Sequence, residues 1–304
     1  MAVLAPGLVH TPVTPFTPAQ RIDFDLYARL IAFHLRNGAD ALALPMHAGE
    51  SVSLTDDEQR ALVAFAIKQV NGRLPVIVHV SDAGSGVAAA RARHAQDAGA
   101  AAIVATTPYY WTPPATMLIE HFAAIGSAVS VPFYVYNSPD EMPGTRINAD
   151  LCLKLIDRLA NFAGVVDLSL DWQFMIELLT YARRPRPDFQ LLAGTEHMVS
   201  AAAIGATGMF APLAAIAPKL VRQLCDLCRK DRLTEARTAQ EAIAALRQLL
   251  KPGGVASLKA AQRTMGRDCG EPRPPLQALD AAAEAGLRTG LESIAALRNE
   301  PRGW

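Results

Sequence analysis

The sequence predicts an α/β fold, a closed parallel (β/α)8 barrel followed by a C-terminal helical extension. Short apolar, β-branched runs recur along the first two-thirds of the chain, and helix-patterned segments separate most of them. A small echo marks the joint between a helix and the next strand, in Asn37-Gly-Ala-Asp40, Asp97-Ala-Gly-Ala100 and Ile204-Gly-Ala-Thr207. Glycine suits that joint, because the residue after a helix often takes positive φ. Too many such units lie between residues 8 and 215 for a small doubly wound sheet, and no GxGxxG follows the first strand.

In chain order, His10 belongs to the first strand, and strand-like runs follow at Ala41–Leu44, Val76–Val80, Ala102–Ala105, Phe133–Tyr136, Ala163–Val166, Phe189–Leu192 and Gly208–Ala211. Leu54-Thr-Asp-Asp-Glu58 opens a helix with a capping box, in which Thr55 caps the N–H of Glu58 and Glu58 reaches back. Asn148 precedes a stretch with apolar residues at helical period up to Leu159. Beyond about residue 218 the strand signal stops. Lys219–Leu250 and Leu276–Leu297 read as helices rich in Ala, Leu and Arg, so the barrel is expected over residues 1–224 and a helical domain over 225–304. The final Asn299-Glu-Pro-Arg-Gly-Trp304 is expected to be loose.

The totals agree with this plan. The chain has 304 residues, and a barrel of this type takes about 250. Its 51% hydrophobic content supplies a sizeable core. No apolar run is long and uncharged enough to span a bilayer, and Met1–Gly7 lacks the basic start of a secretory signal, so a cytoplasmic location is expected. Lys+Arg and Asp+Glu balance at 29 each, which leaves no electrostatic case for nucleic acid or an anionic membrane. Four cysteines make no disulfide framework. Cys225 and Cys228 form one CxxC in a helix-patterned stretch, a weak metal or redox signal by itself, and reduced helix thiols are expected.

Barrels of this kind carry their sites at the C-terminal ends of the strands. Those ends read Val13-Thr-Pro-Phe16, Met46-His-Ala-Gly-Glu-Ser51, Thr107-Pro-Tyr-Tyr110, Tyr136-Asn-Ser-Pro139, Gly164-Val-Val-Asp167, Gly194-Thr-Glu196 and Gly205-Ala-Thr-Gly-Met-Phe210. From about Gly7 to about Pro275, this order and spacing resembles the dihydrodipicolinate synthase / N-acetylneuraminate lyase family. The resemblance implies a barrel with a C-terminal helical domain, assembled as a homotetramer of two tight dimers. It also implies cleavage, condensation or dehydration of pyruvate-like 2-keto acids, with no metal or organic cofactor. Tyr136 matches the tyrosine that moves protons beside the Schiff base, and Tyr110 the one that reaches into a neighbouring subunit's site. Gly49 and Glu50 match the Gly-Glu that closes the strand-two loop. Ala48, Gly49, Gly194 and Phe210 are the substrate-binding positions expected from the match.

The departures from the family pattern fall on the chemistry. Val166 stands where the family carries its Schiff-base lysine, and His47 and Ala48 replace paired threonines. Glu141 replaces an arginine and reverses the charge offered to a second carboxylate, while His79 replaces a common glycine. The six lysines are Lys68, Lys154, Lys219, Lys230, Lys251 and Lys259, and none is placed at a strand end. An imine needs a neutral amine in the pocket, so the enamine route looks closed. The expected ligand is still a small carboxylate or 2-keto acid. The protein is expected to be either an enzyme exchanging protons through Tyr136 and His47, or a non-catalytic binding or regulatory homologue.

Each candidate also has a structural reading. Tyr136 suits a barrel-mouth aromatic and Tyr110 a dimer contact, while His47 serves equally for proton transfer, metal binding or hydrogen-bonded filling. His79 is expected to fill space. A metal centre of His47, His79, Asp167 and Glu196 is disfavoured, because Asp167 should face the helices if Val166 faces the barrel interior. Glu50 is expected to tie its own loop, and His34, His94 and His121 to be surface or interface residues. The role of His10 is left open.

Overall fold

Eight parallel strands close on themselves in chain order in the computed structural model, which describes residues 7–139 and 146–304. The strands are β1 (Leu8–His10), β2 (Ala41–Leu44), β3 (Val76–His79), β4 (Ala102–Thr106), β5 (Phe133–Asn137), β6 (Phe162–Asp167), β7 (Gln190–Ala193) and β8 (Gly208–Ala211). Between them run α1 (Phe24–Arg36), α2 (Asp56–Val70), α3 (Ser85–Ala98), α4 (Ala115–Gly126), α5 (Ala149–Arg158), α6 (Trp172–Ala182) and α7 (Met198–Ile204). The anticipated strands are all present, two of them with the same bounds and the others shifted by one residue at one or both ends. Gly38, Gly99 and Gly205, the glycines of the repeated joint, all sit at positive φ.

Strand alternation sorts the apolar residues into two nested layers. Val9, Ala43, Ile77, Val104, Tyr134, Val166, Leu192 and Phe210 fill the barrel interior, while their neighbours Leu8, Leu42, Val78, Ile103, Val135, Val165 and Leu191 pack outward against the helices. Thr55 and Glu58 form the anticipated capping box at α2, and Asn148 caps α5 by accepting from Leu151 N–H at 2.9 Å.

The C-terminal region differs from the expectation in its breaks. The stretch Lys219–Leu250 is two helices, α8 (Pro218–Arg229) and α9 (Leu233–Leu250), with Asp231 left-handed at φ +56° between them. Helix α8 runs across the expected boundary at 224/225. After α10 (Val255–Thr264), α11 (Ala281–Ser293) starts at its Asp280 cap rather than at Leu276.

The terminal residues are pinned, not loose. Fully buried Arg267 donates to Pro301 O at 2.7 Å, Gly303 O at 3.1 Å and Ala215 O at 3.0 Å, and its guanidinium lies 4.2 Å over Phe33. Glu300 accepts from the backbone N–H groups of Lys219 and Leu220, at 3.0 and 2.7 Å, at the start of α8. A polar ending looks free in sequence, but here its carbonyls satisfy a cation that burial would otherwise leave unpaired. His34 and His121 are likewise buried, against expectation. His34 shares an Nδ1–Nδ1 hydrogen bond of 3.0 Å with His10, and His121 bonds Ser85 Oγ at 2.9 Å.

Candidate active site

A cavity of about 470 Å³ lies at the C-terminal ends of the strands, under a roof supplied by α9, α10 and the turn between them. The roof residues Ala244, Arg247, Gln248 and Lys251 recur at the spacing of one helical face. Five of the residues singled out in the sequence meet there: His47, Ala48, Tyr136, Gly194 and Phe210. Tyr136 comes from β5, pairs in register with Val166 of β6, and has its ring 6.5 Å from that of Phe210. Val166 is fully buried in the interior cluster below the cavity and is not part of its lining.

Gly194 sits in close approach to its neighbours. A Cβ there would fall 1.8 Å from Leu168 Cδ1, and the Gly194 N–H donates to Asp167 O at 2.7 Å. His47 and Ala48 enter on a 3-10 turn after β2, His47–Gly49. Gly49 backs that turn instead of lining the cavity: its N–H donates to Met46 O at 2.9 Å, and its carbonyl accepts from Thr14 Oγ1 at 2.7 Å.

The Glu50 backbone bonds within its loop, from its N–H to His47 O and from Ser53 N–H to its carbonyl, both at 2.9 Å, while its side chain reaches out of the loop. Glu50 follows the turn in the left-handed region and pairs with Lys259 Nζ at 2.6 Å, while its other oxygen accepts from Arg273 N–H at 2.7 Å. The loop is therefore held to the C-terminal helices. Tyr110 lies apart from the cavity, wholly exposed and at φ +86°. Glu141 lies outside the described residues.

A smaller cavity of about 90 Å³ shares His47 and Tyr136 and adds His79, Ser81 and Tyr109. His79 bonds Ser81 Oγ at 2.7 Å, and burial, then the charges of Arg91 and His47, pulls its pKa down to about 4. His79 is therefore neutral at pH 7. Asp167 is buried and bonded to Asn137 Nδ2 at 2.6 Å and Ser169 Oγ at 2.9 Å, and burial raises its pKa. Glu196, also raised by burial, bonds Leu213 N–H at 2.7 Å and Arg247 Nη1 at 2.8 Å, which fixes Arg247 in the roof. Among the described residues, no group of three or more His, Cys, Asp or Glu is placed to hold a metal ion. Burial pushes the Cys225 and Cys228 thiols up to about 12 and 11, which suits protonated core residues.

Arg247 and Lys251 were not singled out in the sequence. Their spacing with Ala244 and Gln248 was readable, but not that this face covers the cavity. No described helix is long and apolar enough to cross a membrane.

A closed (β/α)8 barrel with its cavity at the strand ends places its candidate site where barrel enzymes carry theirs. A sequence profile described as the dihydrodipicolinate synthetase family matches residues 5–294, and the chain belongs to that family. The chain is 33% identical, over 74% of its length and 75% of the relative's, to a 4-hydroxy-tetrahydrodipicolinate synthase of Chlorobium phaeobacteroides. It is 30% identical, over 96% of its length and 94% of the relative's, to an uncharacterized DapA-like lyase of Halobacterium salinarum. Among solved structures, dihydrodipicolinate synthase from Aquifex aeolicus superposes with a TM-score of 0.89 at 26% identity, covering 96% of this chain and 99% of that one. A prophage protein of the same family from E. coli K12, solved in complex with pyruvate, superposes at 0.88 with 27% identity over 95% and 98%.

Proposed function

We propose that this chain binds a small 2-keto acid or related carboxylate in the cavity at the strand ends and does so without forming an imine. The observation that carries this reading is the aliphatic Val166, facing the barrel interior in register with Tyr136. Without an amine there, no iminium withdraws electrons from the substrate, so a carbanion next to its ketone is not stabilised. The pyruvate complex of the E. coli K12 relative supports the ligand class. The Ala48 N–H takes the substrate carboxylate, since the Gly49 N–H is already engaged. Tyr136 and His47, both on the cavity wall, exchange protons with the substrate in a lyase or hydratase reaction that calls on no cofactor.

The second reading, a non-catalytic binding or regulatory homologue, draws on the same Val166. The assembly expected is a homotetramer, with wholly exposed Tyr110 as a contact between subunits. Borohydride reduction in the presence of pyruvate, followed by peptide mapping, tests the proposal, and no lysine adduct is expected. An adduct on any lysine, Lys251 of the roof included, overturns it. Turnover unchanged in both Tyr136→Phe and His47→Ala overturns the proton-exchange roles of these two residues, whereas binding without any turnover in the natural chain favours the second reading.

A further inference from the structure

The roof of the cavity carries positive charge without matching negative charge in its lining. Arg247 and Lys251 both face the cavity from α9 and its end, and no carboxylate side chain among the described residues lines it. The two cations differ in what they have left to offer. Arg247 is bound to fully buried Glu196 at 2.8 Å, so its charge is largely answered. Lys251 is exposed and makes no ion pair among the described residues. Size points the same way. At about 470 Å³ the cavity falls in the range of roughly 300–1,000 Å³ that holds ligands far larger than a three-carbon acid.

We propose that Lys251 is a specificity-determining residue that binds a second, distal anionic group of the ligand while the first carboxylate sits at the Ala48 turn. The ligand class is then a dianionic acid, with a carboxylate or a phosphonate-like group at its far end. This rests on the reading of the cavity as a carboxylate site. Lysine suits the task because its ammonium binds either anion as a point charge, without the planar geometry an arginine demands.

Calorimetric titration of the full chain at low ionic strength separates the two ideas. The probes are pyruvate, 2-oxoglutarate and 2-oxo-4-phosphonobutanoate, the last two differing only in the distal anion. In the natural chain at least one dianion should bind tighter than pyruvate, by up to about fivefold as an exposed charge pair allows, and the gap should narrow with added salt. Which dianion wins identifies the distal group. In Lys251→Ala the dianion-to-pyruvate affinity ratio should fall toward one, and in Lys251→Glu below it. Lys230→Ala, changed at the exposed end of α8, should keep the natural ratio. Pyruvate binding with no preference for either dianion, or a ratio unmoved by Lys251→Glu, overturns the role of Lys251 and leaves the carboxylate site standing. If none of the three probes binds, both readings fall.

Discussion

Lys259→Met should strip the cation from a fully buried ion pair. Lys259 and Glu50 side chains are 1% and 0% exposed, with Nζ 2.6 Å from Oε1. Lys259 also donates to Glu271 O at 3.2 Å and lies 4.4 Å over the Phe16 ring. Without it, the Glu50 carboxylate keeps the Arg273 N–H as a hydrogen-bond donor among the described residues. Breaking one side of such a pair typically costs about 3–5 kcal/mol, because the remaining charge stays buried. For 304 residues, an unfolding entropy of roughly 2.1 cal/mol/K per residue gives about 0.6 kcal/mol/K, so Tm should fall by about 5–8 °C. Glu50→Gln should cost a similar amount. The double variant should recover much of the loss, since glutamine still accepts from Arg273 and nothing is left charged. Scanning calorimetry of the four proteins closes the cycle. A loss under about 1 kcal/mol in Lys259→Met, or a double variant as unstable as the two singles summed, refutes the account of Glu50 as a buried anion that needs its partner.

Three further outcomes follow from the same geometry. Val166→Lys places an amine beside Tyr136 in the barrel interior; despite an overpacking cost of about 1–3 kcal/mol, it should yield a borohydride-trapped pyruvate adduct that the natural chain does not, as mass spectrometry would show. His34 has its pKa drawn down to about 3, first by burial and then by Arg267, so it stays neutral when folded and takes a proton when unfolded. Its contribution is present above pH 6.5 and is lost as pH falls toward the folded value; denaturant melts in His34→Gln should therefore show a dependence flatter by about 1.4 kcal/mol per pH unit between pH 6 and 4. Arg267→Met should free the terminal carbonyls it now holds, costing about 2 kcal/mol or more and making the last residues cleavable by carboxypeptidase.

What the sequence disclosed was what lies close along the chain. Strand alternation set Asp167 on the face opposite Val166 without any coordinates, and the capping box of Thr55 and Glu58 needed only residues three apart. The five candidate residues that line the cavity all sit at or just beyond a strand end, where the topology of a barrel gathers them. Pairings that join distant stretches were not readable. Arg267 with residues 301–303, Glu50 with Lys259, and His10 with His34 leave no periodic trace, because each is specified by where two elements pack and not by a local pattern. Gly49 shows a further limit: it occupies the expected loop, yet spends its N–H on the turn that carries it.

Lys251 and Lys259 show why the roof had to be seen. They lie eight residues apart, and composition counts them as equal C-terminal lysines. Between them the chain ends α9, passes through Pro252-Gly-Gly254 and restarts as α10, with Gly254 at φ +51° setting the new direction. The change of direction leaves Lys251 exposed above the cavity and sends Lys259 down onto Glu50, while its neighbour Leu258 lines the cavity wall. One amine is thereby free to meet a ligand and the other is spent holding the strand-two turn that carries His47 and Ala48. Neither lies on β6, where Val166 stands in register with Tyr136. A lysine's chemistry in this chain is decided by the phase of the helix that presents it.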